Sequence, residues 1–305
     1  MKIAIIGAGA MGQLFGARLI DAGEQVVFLD VSPSTVDALN SHGIIVKTPT
    51  RQIIVPARAA RPEDLTTKVD LAVVFTKGFH TSAAVEAARH LFHRTTIGLT
   101  LQNGLGNEKV LLAEFGPERT LAGITDYPAD RLGDTVVESA DSGYVILGDA
   151  MPRDEISTAA EKVTDMFTAA GLNTTLHHNV QVPVWEKLIF NTVLNTIGGA
   201  TGLTVGQSGT VESARRLADA IVKESLEVAR ALGIEVSDER IRASLERAVS
   251  GHSEHKTSMT VDVEAGRQTE IETIGGAVEA AAHTVGMSTP VLSALCNVIR
   301  SRADS

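Results

Sequence analysis

The chain has 305 residues, 44% hydrophobic and 21% charged, with a formal net charge of −10. That length supports two domains with their own cores, and the composition excludes a disordered chain. The acidic balance argues against nucleic acid or an anionic membrane as the main partner, and a single cysteine, Cys296, excludes an internal disulfide framework.

The chain opens on an apolar run at residues 3–6 with strand character. Gly7, Gly9 and Gly12 follow in G-x-G-x-x-G spacing, and a helical pattern over residues 11–22 begins at once, with Met11, Leu14, Phe15 and Leu19 on one face. Residues 26–29 read as a second strand, 34–41 as a short helix, and 44–47 with 52–57 as a polar hairpin. Residues 71–75 form a continuous apolar run, the pattern of a buried parallel strand. Helix over 81–92, strand over 95–101 and helix over 105–115 continue the alternation, and 121–125, 136–139 and 144–147 read as later strands. Repeated βα units of this kind predict a doubly wound, mostly parallel sheet, a Rossmann domain.

The pattern changes after about residue 155. Residues 156–170 read as helix and 173–177 as a last edge strand. Everything beyond is expected to be helical, over 182–196, 211–232, 238–250, 253–265, 270–285 and 290–301, with breaks at 202–209, 233–237 and 286–289. The expected organisation is therefore α/β followed by all-α: a dinucleotide-binding domain over 1–178 and a helical substrate domain over 179–305, with the reaction site in the cleft between them. No apolar run reaches the roughly 18 residues of a membrane span. Met1-Lys2 enters a strand directly, which leaves no room for a signal peptide, and a cytoplasmic location is expected. Cys296 fits a reducing compartment and reads as a small core residue of the last helix.

The opening turn has the order that a dinucleotide requires. The first glycine permits a tight turn, the second lets a pyrophosphate approach the backbone, and the third lets helix and strand pack closely. The helix N-terminus attracts the phosphates. Asp30 ends the second strand, where an acid typically holds the ribose 2′-hydroxyl of NAD and repels the extra phosphate of NADP. No Arg or Lys occurs among Val31, Ser32, Pro33, Ser34 and Thr35, so NADH is favoured over NADPH. The alternative for Asp30 is a solvated acid or a helix cap.

Three further stretches carry polar groups in informative places. Lys187, Asn191 and Asn195 stand four residues apart in an otherwise greasy helix, so they share one face and drift by only about 40° per step. Buried polar groups need partners, which points this stripe at a polar ligand or cleft, and a partly desolvated lysine is a general acid near neutrality. The alternative has Lys187 reaching solvent and Asn195 near a helix end. In residues 255–272, Ser258 and Asp262 share a helix face, a break falls at Ala265-Gly266, and Thr269-Glu270 is expected to open the next helix, with Glu270 either functional or a first-turn structural acid. At Thr100–Gly106, Asn103 follows a strand end and is either a nicotinamide-side contact or a turn residue, and Lys77 follows the strand before it and faces either cofactor or water. No metal site is expected: His252, Glu254 and His255 are too tightly spaced, and His177-His178 lacks supporting ligands.

Together these pieces resemble the ketopantoate reductase family (2-dehydropantoate 2-reductases) over nearly the whole chain. The resemblance rests on Gly7-Ala8-Gly9-Ala10-Met11-Gly12, the Lys77 turn, Gln102-Asn103-Gly104, the Lys187/Asn191/Asn195 helix, and Ser258-Met259 through Gly266-Arg267 to Thr269-Glu270-Ile271. It implies a Rossmann domain followed by an all-α domain, and hydride transfer from NAD(P)H to a 2-keto acid, giving a D-2-hydroxy acid, D-pantoate from ketopantoate in pantothenate biosynthesis. It implies Lys187 as proton donor and Glu270 as the acid near the cofactor and nascent hydroxyl. It implies Asn191, Asn195 and Ser258 as substrate contacts, and Asn103, Lys77 and Ala129 as cofactor contacts. Two departures stand out. Asp30 stands where the family, which usually prefers NADPH, often has a basic residue, and Val205 falls where a substrate-contacting Asn is often found. NAD-dependent D-2-hydroxyacid dehydrogenases of the D-mandelate type, within the same superfamily, are the alternative enzyme. The β-hydroxyacid dehydrogenases share the opening but place their lysine in a Gly-rich helix start that is absent around Lys187. An NAD(H)-sensing regulator is the non-enzyme alternative, and a homodimer is compatible with the long apolar C-terminal helices.

Overall fold

The structure, a computed structural model, describes residues 1–251 and 253–303. The chain divides into two compact units. The first comprises Met1–Gln102 and Asn107–Val180, and the second Asn103–Gly106 and Gln181–Ser305, of which the last two residues lie outside those described.

The first unit runs β1 (Lys2–Ile6), α1 (Ala10–Asp21), β2 (Gln25–Leu29), α2 (Pro33–His42), β3 (Ile44–Lys47), β4 (Gln52–Val55), β5 (Ala59–Ala60), β6 (Val69–Val74), α3 (Thr81–Ala88), β7 (Phe92–Thr100), α4 (Asn107–Phe115), β8 (Thr120–Thr125), β9 (Asp130–Arg131), β10 (Val136–Glu138), β11 (Val145–Asp149), α5 (Thr158–Ala169) and β12 (Thr174–Leu176). Its main sheet has the order β12-β11-β8-β7-β6-β1-β2-β5, parallel throughout except between β8 and β11. β1 shows why the apolar run has no alternation of polarity: Ile3 and Ile5 enter one core while Ala4 and Ile6 enter another across the sheet. The chain order reverses between β1 and β6, which makes their carboxyl ends the switch point where such sheets bind ligands.

The hairpin expected over residues 44–57 is β3 and β4, and it belongs to a second sheet of order β4-β3-β10-β9. Residues 136–139, expected as a strand of the main series, instead pair in parallel with β3. A three-residue strand carries too little pattern to declare its partner, and the pairing depends on where residues far apart in sequence meet.

The second unit is helical: α6 (Gln181–Thr201), α7 (Val205–Thr210), α8 (Glu212–Ala231), α9 (Asp238–Gly251), α10 (Ser258–Glu264), α11 (Gly275–Thr284) and α12 (Pro290–Ala303). Its core gathers Trp185, Leu188, Ile189, Ile221, Leu226, Met259, Val278, Leu292 and Cys296. Two expectations need correction here. The helix expected over 253–265 starts only at Ser258, because the Thr257 hydroxyl accepts from the Thr260 amide and caps it. The helix expected over 270–285 starts at Gly275. Thr269 does not cap it: its hydroxyl accepts from the Ile271 amide, two residues on, in a side-chain turn that leaves residues 270–274 as turns. The break at 202–209 contains most of a short helix, α7, opened by a reciprocal capping box of Thr204 and Gln207.

No helix among the described residues is long and apolar enough to cross a membrane.

Candidate active site

In the first unit the site begins at the β1–α1 turn. Gly7 has φ +98°, a left-handed conformation that favours glycine, and a Cβ there would lie 2.8 Å from the Thr76 amide nitrogen. Gly12 brings α1 against the turn, since a Cβ would lie 2.1 Å from the Gly7 carbonyl oxygen. A Cβ on Gly9 would meet nothing within 4 Å, so the turn is open on that side. The N-terminus of α1 has no side-chain cap, which leaves the amides of its first turn for a ligand. Ala10 and Met11 are half-buried where the helix begins.

Asp30 is joined to this turn. Its carboxylate accepts from the Ala8 amide at 3.0 Å and from the Ser32 amide at 2.9 Å. An ionised carboxylate has about four acceptor positions, so two remain for a ribose diol. Ser32, not Asp30, caps α2, accepting from the Thr35 amide. The open cradle at Gly9, the uncapped helix and the strand-end carboxylate together fit a dinucleotide.

Across the switch point, Thr76 and exposed Lys77 follow β6. Their turn rests on Gln102, whose amide donates to the Thr76 carbonyl at 2.7 Å and the Thr81 hydroxyl at 2.8 Å, while its oxygen accepts from Thr100. Thr81 in turn donates to Asn107 at 2.8 Å. This polar knot fixes the starts of α3 and α4 to the ends of β6 and β7. Ala129 lies in the loop between β8 and β9, half-buried against the core.

In the second unit, α6 carries Lys187 and Asn191 half-buried and Asn195 only 6% exposed. The Asn195 side-chain oxygen is buried and has no hydrogen-bond partner among the described residues. One turn further along the same face, Gly198 admits α10: a Cβ there would lie 2.5 Å from the Thr260 hydroxyl. Ser258, exposed, opens α10 beside its cap Thr257. Asp262, its companion on that helix, is held by the Arg267 guanidinium at 2.8 and 2.9 Å. Glu186, next to Lys187, is structural, since it accepts from the Ser237 amide and Arg240 where α9 starts.

Asn103 groups with these helices and not with the glycine turn. Its oxygen faces the Asn191 amide at 3.5 Å. Gly104 has φ +87° and lies hard against Thr273, and the Leu105 amide donates to the Thr273 carbonyl at 2.9 Å. That carbonyl lies in the 270–274 turn, whose first residue is the half-buried Glu270. The structure thus brings Asn103 to Asn191 and to the turn that begins at Glu270. Val205 is 4% exposed at the start of α7, with its amide donating to the His255 carbonyl. Among the described residues no three His, Cys, Asp or Glu side chains group as a metal site; His252 lies outside those residues. Cys296 is fully buried, and desolvation pushes its thiol up to about 12.

Two residues escaped sequence reasoning: Gln13 and Gln102. Gln13 left a signal, a polar residue within the apolar start of α1. Gln102 stood in a motif without an assigned task.

A parallel sheet of order β5-β2-β1-β6-β7-β8 with a glycine turn at its switch point defines a dinucleotide-binding protein of the Rossmann class. The sequence matches the ketopantoate reductase PanE/ApbA family over residues 3–152 and that family's C-terminal region over residues 179–303. The chain belongs to the ketopantoate reductase family and is an NAD(P)-dependent oxidoreductase. A 2-dehydropantoate 2-reductase from Pyrococcus abyssi is 33% identical, over 99% of this chain and 98% of that one. Among solved structures, 2-dehydropantoate 2-reductase from Geobacter metallireducens GS-15 has a TM-score of 0.91 at 31% identity, covering 99% of both chains. D-mandelate dehydrogenase with NADH and anilino(oxo)acetate has a TM-score of 0.93 at 27% identity, covering 100% of this chain and 99% of that one.

Proposed function

We propose that the enzyme reduces ketopantoate to D-pantoate with NADH. The observation that carries this reading is the polar face of α6, Lys187, Asn191 and Asn195, with a buried amide oxygen on Asn195 that lacks a partner among the described residues. A buried acceptor without a partner is costly unless a ligand's donor completes it, and the substrate's hydroxyl is such a donor. Residues 7–12, Asp30, Lys77, Asn103 and Ala129 hold the cofactor, which supplies the hydride when bound. Lys187 donates the proton to the carbonyl oxygen of the 2-keto acid. Glu270 orients the nascent hydroxyl, and Asn191, Asn195 and Ser258 grip the carboxylate and the distal hydroxyl. Holding these groups in place supplies orientation and charge stabilisation without reorganisation at the moment of reaction.

A second reading, an NAD-dependent D-2-hydroxyacid dehydrogenase for bulkier substrates, is favoured by one feature. Val205, buried and apolar, stands where a polar substrate contact is expected from the family, which weakens selection for a hydroxylated side chain.

Initial rates followed by nicotinamide absorbance, with ketopantoate and with benzoylformate, separate the two. Turnover with ketopantoate and NADH is expected. Lys187→Met is expected to lower kcat by about 10²- to 10⁴-fold, the range of a lost general acid, without a change in melting temperature. Preference for benzoylformate would support the second reading. Full turnover in Lys187→Met would remove the proposed proton donor.

A further inference from the structure

Gln13 is fully buried one residue past the third glycine, at a position where an apolar side chain would fill the same space. Its amide nitrogen donates to the Ala8 carbonyl at 2.9 Å and to the Asp134 carbonyl, also at 2.9 Å. Both protons are therefore used, and the orientation of the amide is fixed by the two carbonyls it meets. Its oxygen is buried and has no hydrogen-bond partner among the described residues. An unmet acceptor in a core is unfavourable, so it is the two donations that make glutamine fit here.

What those donations join is specific. Ala8 lies inside the glycine turn, and its amide is already held by Asp30. With its carbonyl held by Gln13, the peptides on both sides of Ala8 are locked. Asp134 lies in the turn between β9 and β10, which Arg131 braces through the Gly133 carbonyl and the Asp134 carboxylate. A continuous chain of hydrogen bonds thus runs from Asp30 through Ala8 and Gln13 to that hairpin, 121 residues away in sequence. Leu132, paired with Val136 just before the turn, is 55% exposed.

We propose that Gln13 is a positioning residue that sets dinucleotide affinity by locking the glycine turn and the β9–β10 hairpin in one arrangement. It is fully buried within the protein. It acts by removing the ordering cost that a loose turn would add to binding. The inference rests on the reading that residues 7–12 bind the dinucleotide.

The test compares the full-length enzyme with Gln13→Met, which keeps the volume and removes both donors, and with Gly9→Val, which fills the open side of the turn. Dissociation constants for NADH are measured by fluorescence on the enzyme without substrate, alongside steady-state kinetics and backbone amide exchange. In Gln13→Met the NADH dissociation constant and its KM are expected to rise about tenfold with kcat within twofold. Exchange is expected to speed up in the peptides covering residues 7–13 and 130–136 alone. Unchanged NADH affinity, or faster exchange across the whole protein with no local excess, overturns the inference. Gly9→Val separates this failure from the other: if it binds NADH as the unaltered enzyme does, the turn is not the cofactor site and both readings fall.

Discussion

Replacing Asp30 by Asn tests the cofactor assignment most directly. The carboxylate accepts two backbone amides, from Ala8 and Ser32, and has about two acceptor positions left for ribose. Asparagine keeps the shape, loses the charge, and turns its NH2 group toward one of those amides. For NADPH the gain is relief of repulsion. At ~6 Å and an effective dielectric constant of about 40, two unit charges repel by about 1.4 kcal/mol. A 2′-phosphate carrying about −1.5 to −2 is then repelled by roughly 2–3 kcal/mol, a factor of about 30 to 100 in kcat/KM. For NADH the loss of a charge-assisted bond to ribose costs about 1.4 kcal/mol, or tenfold. The ratio of kcat/KM for NADH over NADPH should therefore fall by two to three orders of magnitude. Parallel kinetics with both cofactors read it, and a melting curve shows whether the lost amide contact, worth about 1–3 kcal/mol, has loosened the fold. A ratio that moves by less than about threefold in a folded variant would refute the assignment of Asp30 to the ribose.

Asn195→Leu removes a buried acceptor that no described residue satisfies, so thermal stability should hold or rise slightly while substrate KM increases by roughly ten- to a hundredfold. An unchanged KM would mean that Asn195 faces no substrate. Gly104→Ala places a side chain at φ +87° and 2.2 Å from the Thr273 carbonyl, and should cost more than about 2 kcal/mol of unfolding free energy by denaturant titration. Cys296, whose thiol is pushed up to about 12 from 9.0 by burial, should resist thiol reagents in the native enzyme at mildly alkaline pH and react once the chain unfolds. Because the folded thiol holds its proton more tightly than the unfolded one, its contribution to stability is complete below pH 9.0 and declines as pH rises toward about 12. A Cys296→Ala variant should lack that alkaline decline.

The repeating strands and helices of the first unit were readable because the apolar stretches at residues 3–6, 26–29 and 71–75 alternate with helical patterns and are bounded by glycine or polar turns. The stripe on α6 was readable because three polar residues interrupt a greasy helix at one spacing. Other features depended on contacts that no local window contains. Pairing of Val136–Glu138 with β3 joins segments about ninety residues apart. The turn at 270–274 follows from a hydroxyl choosing the amide two residues on, which a Thr-Glu pair does not announce. The link from Gln13 to Asp134 is invisible until the hairpin is in place. Asn103 marks itself by following a strand end, but its neighbour Asn191 lies 88 residues away.

Asn103–Gly106 belongs to the helical unit although the chain on both sides of it belongs to the other. During synthesis this tetrapeptide, the loop between β7 and α4, leaves the ribosome long before α6 and the Thr273 turn, so it waits for its partners until the rest of the chain is made. The same arrangement limits dissection. A fragment cut at Gln181 would leave Thr273 without the Leu105 amide it accepts from, and a fragment ending at Val180 would leave that loop without its seat. Either excised piece should therefore be recovered with a ragged edge at this position, and recombining the two should restore protection of the Leu105 amide.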